Sequence, residues 1–502
     1  MFFEIVYAGA TLGLAIYGFN AIFFSALYLF WRWRNCATIS PAAPPTEWPT
    51  VTVQLPVYNE RFVVERLIDA VAKLDYPADR LTIQVLDDSD DDTASLARAR
   101  VVHHRARGVH IEHLQRPGRD GYKAGALAYG FARTGSDFIA VFDADFVPPP
   151  DFLKRTVPHF ANPKIGMTQA RWGHLNTEYS LLTRAQALML DGHFGIEQTV
   201  RDHFGFFFNF NGSAGVWRAA CIRDVGGWGA DTVAEDLDLS YRAQLRGWKL
   251  KYIPNVVAPA EIPTLVSAFK RQQFRWAKGS IQCLRKLGKQ LLTAPEPAWR
   301  KAQALIHLGG YLIHPLILLL VLMSLPILLN GDLSRLQWSA VSLGWLGGPL
   351  LFALAQWGLY PDWRARLKYL PALILVGPGL AVNNTWAVIE ALTGRNPTLF
   401  LRTPKLQVEG RARNENGQGA AEFAAYHLPV DGSTWVELFF MLYSGLTTFL
   451  ALRLAPGLAP FMALYTLGFG YTAFLSLRQS LNIKAVTAKL SAKWFEGVGA
   501  VE

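Results

Sequence analysis

Apolar and polar positions divide the chain into three regimes. Residues 5–31 are almost unbroken in apolar side chains, residues 35–300 alternate short apolar runs with polar ones, and most of 302–478 returns to long apolar stretches. In the middle regime the runs Thr50–Pro56, Leu81–Leu86, Val109–His113 and Phe138–Phe142 have strand length. Between them, Arg61–Leu74, Thr93–Arg107 and Tyr122–Thr134 repeat apolar residues at helical spacing. Short apolar strands alternating with amphipathic helices predict a parallel sheet covered on both faces, with ligands bound beyond the carboxyl ends of the strands. The acidic residues cluster at those ends.

The flanking regimes read as membrane segments. The run from Ile5 to Trp31 is too long for a signal-peptide core, and it ends in Trp31-Arg32-Trp33-Arg34, an aromatic anchor mixed with positive charge. That end is expected to face the cytosol. The proline-rich stretch Pro41–Pro49 follows as a linker. After Pro263, the stretch Phe269 to Leu287 sets Lys270, Arg271, Arg275, Lys278, Arg285 and Lys286 among Phe274, Trp276, Ile281 and Leu284, the pattern of a helix lying in a membrane interface. Spans are predicted at 302–329, 337–359, 434–453 and 457–477. The segment 369–393 is interrupted by Gly377-Pro378-Gly379 and lies between two basic segments, Trp363–Lys368 and Arg395–Arg413, so a re-entrant or interfacial element is expected there. The expected units are 1–34 (transmembrane), 35–262 (cytosolic domain), 263–300 (interface helices), 301–393 (spans plus re-entrant element), 394–433 (cytosolic loop), 434–480 (two spans) and 481–502 (cytosolic tail).

Composition agrees with this division. The 502 residues are 51% apolar and only 18% charged, less charge than soluble domains carry. The net charge of +10 does not imply nucleic acid, because the basic residues gather beside apolar runs (Arg32, Arg34, Arg364, Arg366, Lys368, Lys484, Lys489, Lys493). Cys36, Cys221 and Cys283 are far apart, with no disulfide framework and no zinc spacing.

Four segments carry candidate chemistry. In Val85-Leu86-Asp87-Asp88-Ser89-Asp90-Asp91-Asp92, Asp87 and Asp88 at the strand end are candidates to hold a polar ligand edge, while Asp90–Asp92 suit a helix start. In Phe142-Asp143-Ala144-Asp145, two carboxylates follow an apolar strand, and alternation puts both on one side. Such a pair suits Mg²⁺ or Mn²⁺ bridging a diphosphate. In Ala234-Glu235-Asp236-Leu237-Asp238, Asp236 is the candidate general base and Asp238 is assigned to the helix surface. In Gln272-Gln273-Phe274-Arg275-Trp276, the indole offers a platform for a sugar ring and Arg275 can neutralise a departing diphosphate. Two further segments support these. Gly118–Gly125 is glycine-rich and brings Lys123 toward phosphates. Phe206–Arg218 sets Asn211, Gly212 and Ser213 among aromatics, where a sugar can be held.

In this order the motifs resemble the family 2 glycosyltransferases of the cellulose synthase type, and most closely the cellulose-synthase-like glucomannan and glucan synthases and their bacterial relatives. The shared residues are Asp87-Asp88, Asp143 with Asp145, Glu235-Asp236, and Gln272, Arg275 and Trp276; Gln169–Trp172 and Phe210–Arg218 look like the synthase-like subgroup. The resemblance implies an α/β GT-A catalytic domain, a Rossmann-like mixed sheet with helices on both faces, embedded in an α-helical transmembrane domain of a bacterial-type inner membrane or its equivalent. It implies an inverting, processive hexosyltransferase that builds a β-linked (β-1,4) glucan, mannan or glucomannan and passes it across the bilayer. By position, Asp87 and Asp88 would hold the nucleotide base of UDP-glucose or GDP-mannose. Lys123, Asp143 and Arg275 would meet the diphosphate, and Asp143 and Asp145 the metal. Asp236, beside Glu235, would be the catalytic base, and Trp276, Gln272, Asn211, Gly212 and Ser213 would receive the growing polysaccharide. Phe400, Thr403 and Lys405 resemble the family's gating segment. Ala234 and Arg402 depart from the cellulose synthase pattern, which leaves the product among glucan, mannan and glucomannan. Transfer of one sugar to a membrane lipid, as in glucosylceramide-type synthases, is the alternative.

Overall fold

The computed structural model describes residues 2–34, 43–330, 343–395 and 432–498, with side chains through 481. The gating-segment residues Phe400, Thr403 and Lys405 lie outside the described residues.

The strands are β1 (Val51–Val57), β2 (Leu81–Asp87), β3 (Ile111–Gln115), β4 (Phe138–Val141), β5 (Ile165–His174), β6 (Gly215–Arg218) and β7 (Lys249–Ala260). They form one sheet in the order β3-β2-β1-β4-β6-β5-β7. Only β6 runs against its neighbours; the β1–β2, β2–β3, β1–β4 and β5–β7 pairs are parallel. The expected parallel half is therefore present, and β5 to β7 extend it into the mixed sheet of the GT-A fold. Val51, Val53 and Leu55 on β1 are fully buried, as are Thr52 and Gln54 between them. A strand covered on both faces explains this apolar run, and each buried aliphatic side chain stabilises the fold by about 1.5–3 kcal/mol. Gln54 Nε2 donates to Gln84 Oε1 at 3.1 Å, which pairs one polar atom of each side chain within the second layer.

Helices α1 (Phe2–Arg34), α2 (Val64–Val71), α3 (Thr93–Arg105), α4 (Tyr122–Phe131) and α5 (Leu181–Gly192) precede α6 (Glu235–Leu245) and α7 (Val266–Thr293). Then come α8 (Ala298–Leu308), α9 (Ile313–Asn330), α10 (Gly347–Leu359), α11 (Leu370–Gly379), α12 (Ala381–Thr393), α13 (Ser433–Leu454) and α14 (Ala459–Val498). Among the described residues, four segments are long and apolar enough to cross a membrane: Phe2–Arg34, Gly310–Asn330, Ser433–Leu454 and Ala459–Leu481. The expected span at 302–329 is thus two helices, because α8 ends at Leu308 before glycines 309 and 310. The expected span at 337–359 is a shorter apolar helix from Leu343 in the described residues. It crosses α1 closely: a Cβ on Gly18 would meet the Gly344 carbonyl, and one on Gly347 the Gly18 carbonyl. Small residues let two apolar helices approach where water provides no drive. Trp363–Gly379 and Ala381–Thr393 bend by 43° at the Gly-Pro-Gly break, a pair that makes either a fifth span or a re-entrant element.

Candidate active site

Beyond the carboxyl ends of β1, β2 and β4 a cleft opens. It is lined by Asp88, Lys123, Asp143, Asp145, Asn211, Gly212, Glu235, Asp236, Gln272, Arg275 and Trp276. Residues scattered over almost 190 positions of sequence thus meet in one place. Each is delivered by the end of an element: Asp88 follows β2, Asp143 and Asp145 follow β4, Lys123 opens α4, and Glu235 and Asp236 open α6.

Lys123 is the central cation. Its ammonium is 2.5 Å from Asp143 and 3.6 Å from Glu235, and it donates to the Gly212 carbonyl at 2.9 Å. Burial alone would weaken its hold on the proton, but Asp143, Glu235 and then Asp236 outweigh that and keep it charged above its ordinary range. Asp143 is braced from behind, because its backbone N–H donates to Ser213 Oγ at 2.9 Å. Asp143 nevertheless keeps 34% of its side chain exposed, enough to reach a ligand. Asp143 and Asp145 are hard oxygen donors that fit a divalent ion. No third His, Cys, Asp or Glu joins them among the described residues, so diphosphate and water would have to complete such a shell.

Asp236 differs in kind. Burial and then the Glu235 carboxylate push its carboxyl up to about 7, against the pull of Lys123. It accepts from the Leu237 backbone N–H at 2.8 Å. A carboxyl tuned near neutrality and facing a cleft has the properties of a general base. The turn facing it is left-handed: Gly212 has φ +82° and Ala214 φ +57°. A Cβ on Gly212 would stand 2.9 Å from Asp236 Oδ2, so glycine is required by both conformation and space.

The remaining expected residues are placed as follows. Asp88 lines the cleft, but both its oxygens accept from Arg116, at 2.7 and 2.6 Å. Arg116 also donates to the Asp120 and Tyr122 carbonyls, which ties Asp88 to the glycine-rich segment. Asp87 does not line the cleft. It is 2% exposed, lies 2.8 Å from His113 Nε2 and accepts from the Ser89 N–H. Burial opposes its ionisation, yet these bonds hold its carboxyl below the usual range. Ser213 is fully buried and serves Asp143 rather than the cleft surface. Asn211 is oriented by Gln198, which donates to its side chain at 2.7 Å, and by His193 at 2.9 Å. Asp238, expected on the helix surface, is fully buried between Arg242 and Lys286. Phe206, Phe207 and Phe208 are all core. Tyr58, Glu60 and Arg119 also line the cleft, as does Trp172 from the Gln169–Trp172 segment, and the Arg119 guanidinium stacks 3.2 Å over the Tyr58 ring. For the first three the signal in sequence was weak: Tyr58 and Glu60 only follow a strand end, and Arg119 only shares the glycine-rich segment.

Comparison with known proteins places this geometry. Residues 49–279 match the family described as "Glycosyltransferase like family 2". The chain is 41% identical over 264 residues to glucomannan 4-beta-mannosyltransferase 9 of Arabidopsis thaliana, covering 51% of this chain and 50% of that one. It is 43% identical over 260 residues to probable glucomannan 4-beta-mannosyltransferase 3 of Oryza sativa subsp. japonica, covering 51% and 47%. The chain thus spans about half the length of these relatives. Among solved structures, a mannosyltransferase from Pyrobaculum calidifontis in complex with GDP-Man and Mn²⁺ is similar, with TM-score 0.52, 20% identity, and coverage of 78% of this chain and 100% of that one. At that identity the likeness shows the fold. Over residues 49–279 the chain thus matches the family 2 glycosyltransferases, and the fold around the cleft is the GT-A fold.

Proposed function

We propose that this glycosyltransferase extends a β-1,4-linked mannan or glucomannan, with GDP-mannose as principal donor and UDP-glucose as the other candidate, from the cytosolic face of a membrane. The observation that carries the reading is the convergence of Lys123, Asp143, Asp145, Asp236 and Trp276 on one cleft. The relatives that match this chain at 41–43% identity are named for mannosyl transfer into glucomannan, which favours mannose.

Lys123, Arg275, Asp143 and Asp145 would hold the sugar diphosphate. A Mg²⁺ or Mn²⁺ ion on the two aspartates would supply Lewis-acid neutralisation of the leaving group. Trp276, Gln272 and Asn211 would hold the terminal sugar of the acceptor. Asp236 takes the proton of the acceptor hydroxyl as that oxygen bonds to C1 of the donor sugar; the C1–O bond to phosphate breaks, and the nucleoside diphosphate leaves with the bonding pair. One displacement inverts α to β. Glu235 lies beside Asp236 and raises its basicity. The four apolar segments beside the domain support a membrane exit for the polymer.

The test is incubation of the purified chain in nanodiscs with radiolabelled GDP-mannose or UDP-glucose and Mn²⁺ or Mg²⁺. The expected product is insoluble label from GDP-mannose that an endo-β-1,4-mannanase releases. Label confined to solvent-extractable lipid would overturn the polymer reading in favour of single-sugar transfer.

A further inference from the structure

Helix α7 has two chemically opposite faces. At ~100° per residue, Gln272, Arg275, Trp276, Gly279 and Cys283 share one side. The first three line the cleft, a Cβ on Gly279 would run into Ala234, and Cys283 Sγ lies 3.9 Å from the Ala234 carbonyl. This side therefore rests on the segment that delivers Glu235 and Asp236. Lys270, Lys278, Ile281 and Arg285 share the other side, which meets the apolar helices. Lys270 Nζ is 2.6 Å from Glu437 on α13 and donates to Ser476 on α14 at 3.0 Å. Lys278 Nζ is 2.8 Å from Glu390 on α12. Ile281 packs against Val388 and Ala391, Arg285 donates to the Ala391 carbonyl, and Asn383 donates to the Lys270 carbonyl at 2.9 Å.

Both ion pairs are out of water: side-chain exposure is 1% and 0% for Lys270 and Glu437, and 2% and 13% for Lys278 and Glu390. Desolvating two charges offsets most of their attraction, and well-packed apolar residues in their place are often as stable or more so. Two such pairs on one helix face are therefore poorly explained by stability. An ammonium set on a carboxylate does fix the height and rotation of one helix against another, which sliding aliphatic contacts do not.

We infer that Lys278–Glu390 and Lys270–Glu437 form a positioning clasp that holds the Gln272, Arg275 and Trp276 face of α7 at a set height over Asp236, so that use of the acceptor depends on how the apolar helices are seated. The inference rests on the acceptor role proposed for Trp276. Lys278 is the nearer post, two residues beyond Trp276 and on the opposite face.

The full chain in nanodiscs, with GDP-mannose, Mn²⁺ and β-1,4-mannotetraose as acceptor, provides the test. The neutral double variant Lys278→Met/Glu390→Leu removes both charges without stranding either. It is expected to bind GDP and Mn²⁺ within about twofold of wild type while its KM for mannotetraose rises at least about tenfold, because small misplacements of reacting groups are costly. Lys278→Arg alone, which keeps a cation opposite Glu390, is expected to leave the acceptor KM close to wild type. Should the double variant not accumulate, the shortened pair made by Glu390→Asp is expected to raise the same KM without changing GDP binding. An unmoved acceptor KM in a wild-type-active background overturns the clasp alone, as does a parallel loss of GDP binding and acceptor use. Wild-type chain that transfers sugar to mannotetraose from neither GDP-mannose nor UDP-glucose overturns the acceptor reading and the clasp with it.

Discussion

Asp236 has its pKa pushed up by burial beside Glu235, and that burial has a consequence for stability as well as for chemistry. Its folded value of about 7 lies above the value near 4 of an unfolded chain. As pH rises between those two values the unfolded state releases the proton first, so stability is progressively lost up to about pH 7. Asp236→Asn abolishes this term. Its thermal midpoint is expected to lie close to wild type at pH 4 and above it at pH 8; equal shifts at both would contradict the burial argument. Gly212→Ala makes a second prediction. Left-handed backbone costs an alanine roughly 1–2 kcal/mol, and its methyl would press on Asp236 Oδ2. The variant should fold with a lowered midpoint and lose most transfer activity, which a parallel melt and rate assay would show. At this scale the sequence disclosed residue types but not their partners. Asp88 was legible as a residue at the cleft, yet its bidentate bond to Arg116 joins two segments 28 positions apart. Asp238 was assigned to a surface because α6 alone gives no sign that Lys286, 48 positions later, covers it.

Between residues and the whole stand the elements that aim them. Arg116 binds Asp88 through two nitrogens and also holds the carbonyls of Asp120 and Tyr122, where Gly121 and Tyr122 take φ +68° and +48° at the start of α4. Arg116→Met would free the segment that carries Lys123. Affinity for GDP and Mn²⁺ is expected to fall about tenfold by calorimetry, and Arg116→Lys to recover only part, since an ammonium cannot reproduce the fork. Unchanged affinity in the methionine variant would show that the glycine-rich segment holds itself. The first four strands were legible because each is a short apolar run bounded by polar residues. Strands β5 to β7 were not: β5 includes Gln169, Arg171 and Trp172, and β6 has only four residues. Their strand character comes from pairing with β4 and with each other, which no local period displays. Helix α7 was legible as amphipathic and basic, but the burial of Lys270 and Lys278 against distant glutamates was not.

Across the whole molecule, a sheet that presents carboxylates beyond its strand ends stands against a bundle of apolar helices, with α7 between them. One helix thus faces both the cleft and the apolar segments. The division into a polar middle and apolar flanks was readable from hydropathy alone, because a bilayer imposes long unbroken runs that a soluble core does not. The path of 369–393 was less so, since a Gly-Pro-Gly break permits both a bent span and a re-entrant turn. The central claim is a separation of roles within one cleft: Asp143 and Asp145 hold the donor through a cation, and Asp236 only removes a proton. Calorimetric titration of GDP with Mn²⁺ into Asp145→Asn and Asp236→Asn chains, each also assayed for mannosyl transfer, tests it most directly. Both variants are expected to lose transfer; Asp145→Asn also loses binding, whereas Asp236→Asn binds within about threefold of wild type, as expected for loss of a base rather than of a ligand-holding group. Equal loss of binding in the two would contradict it.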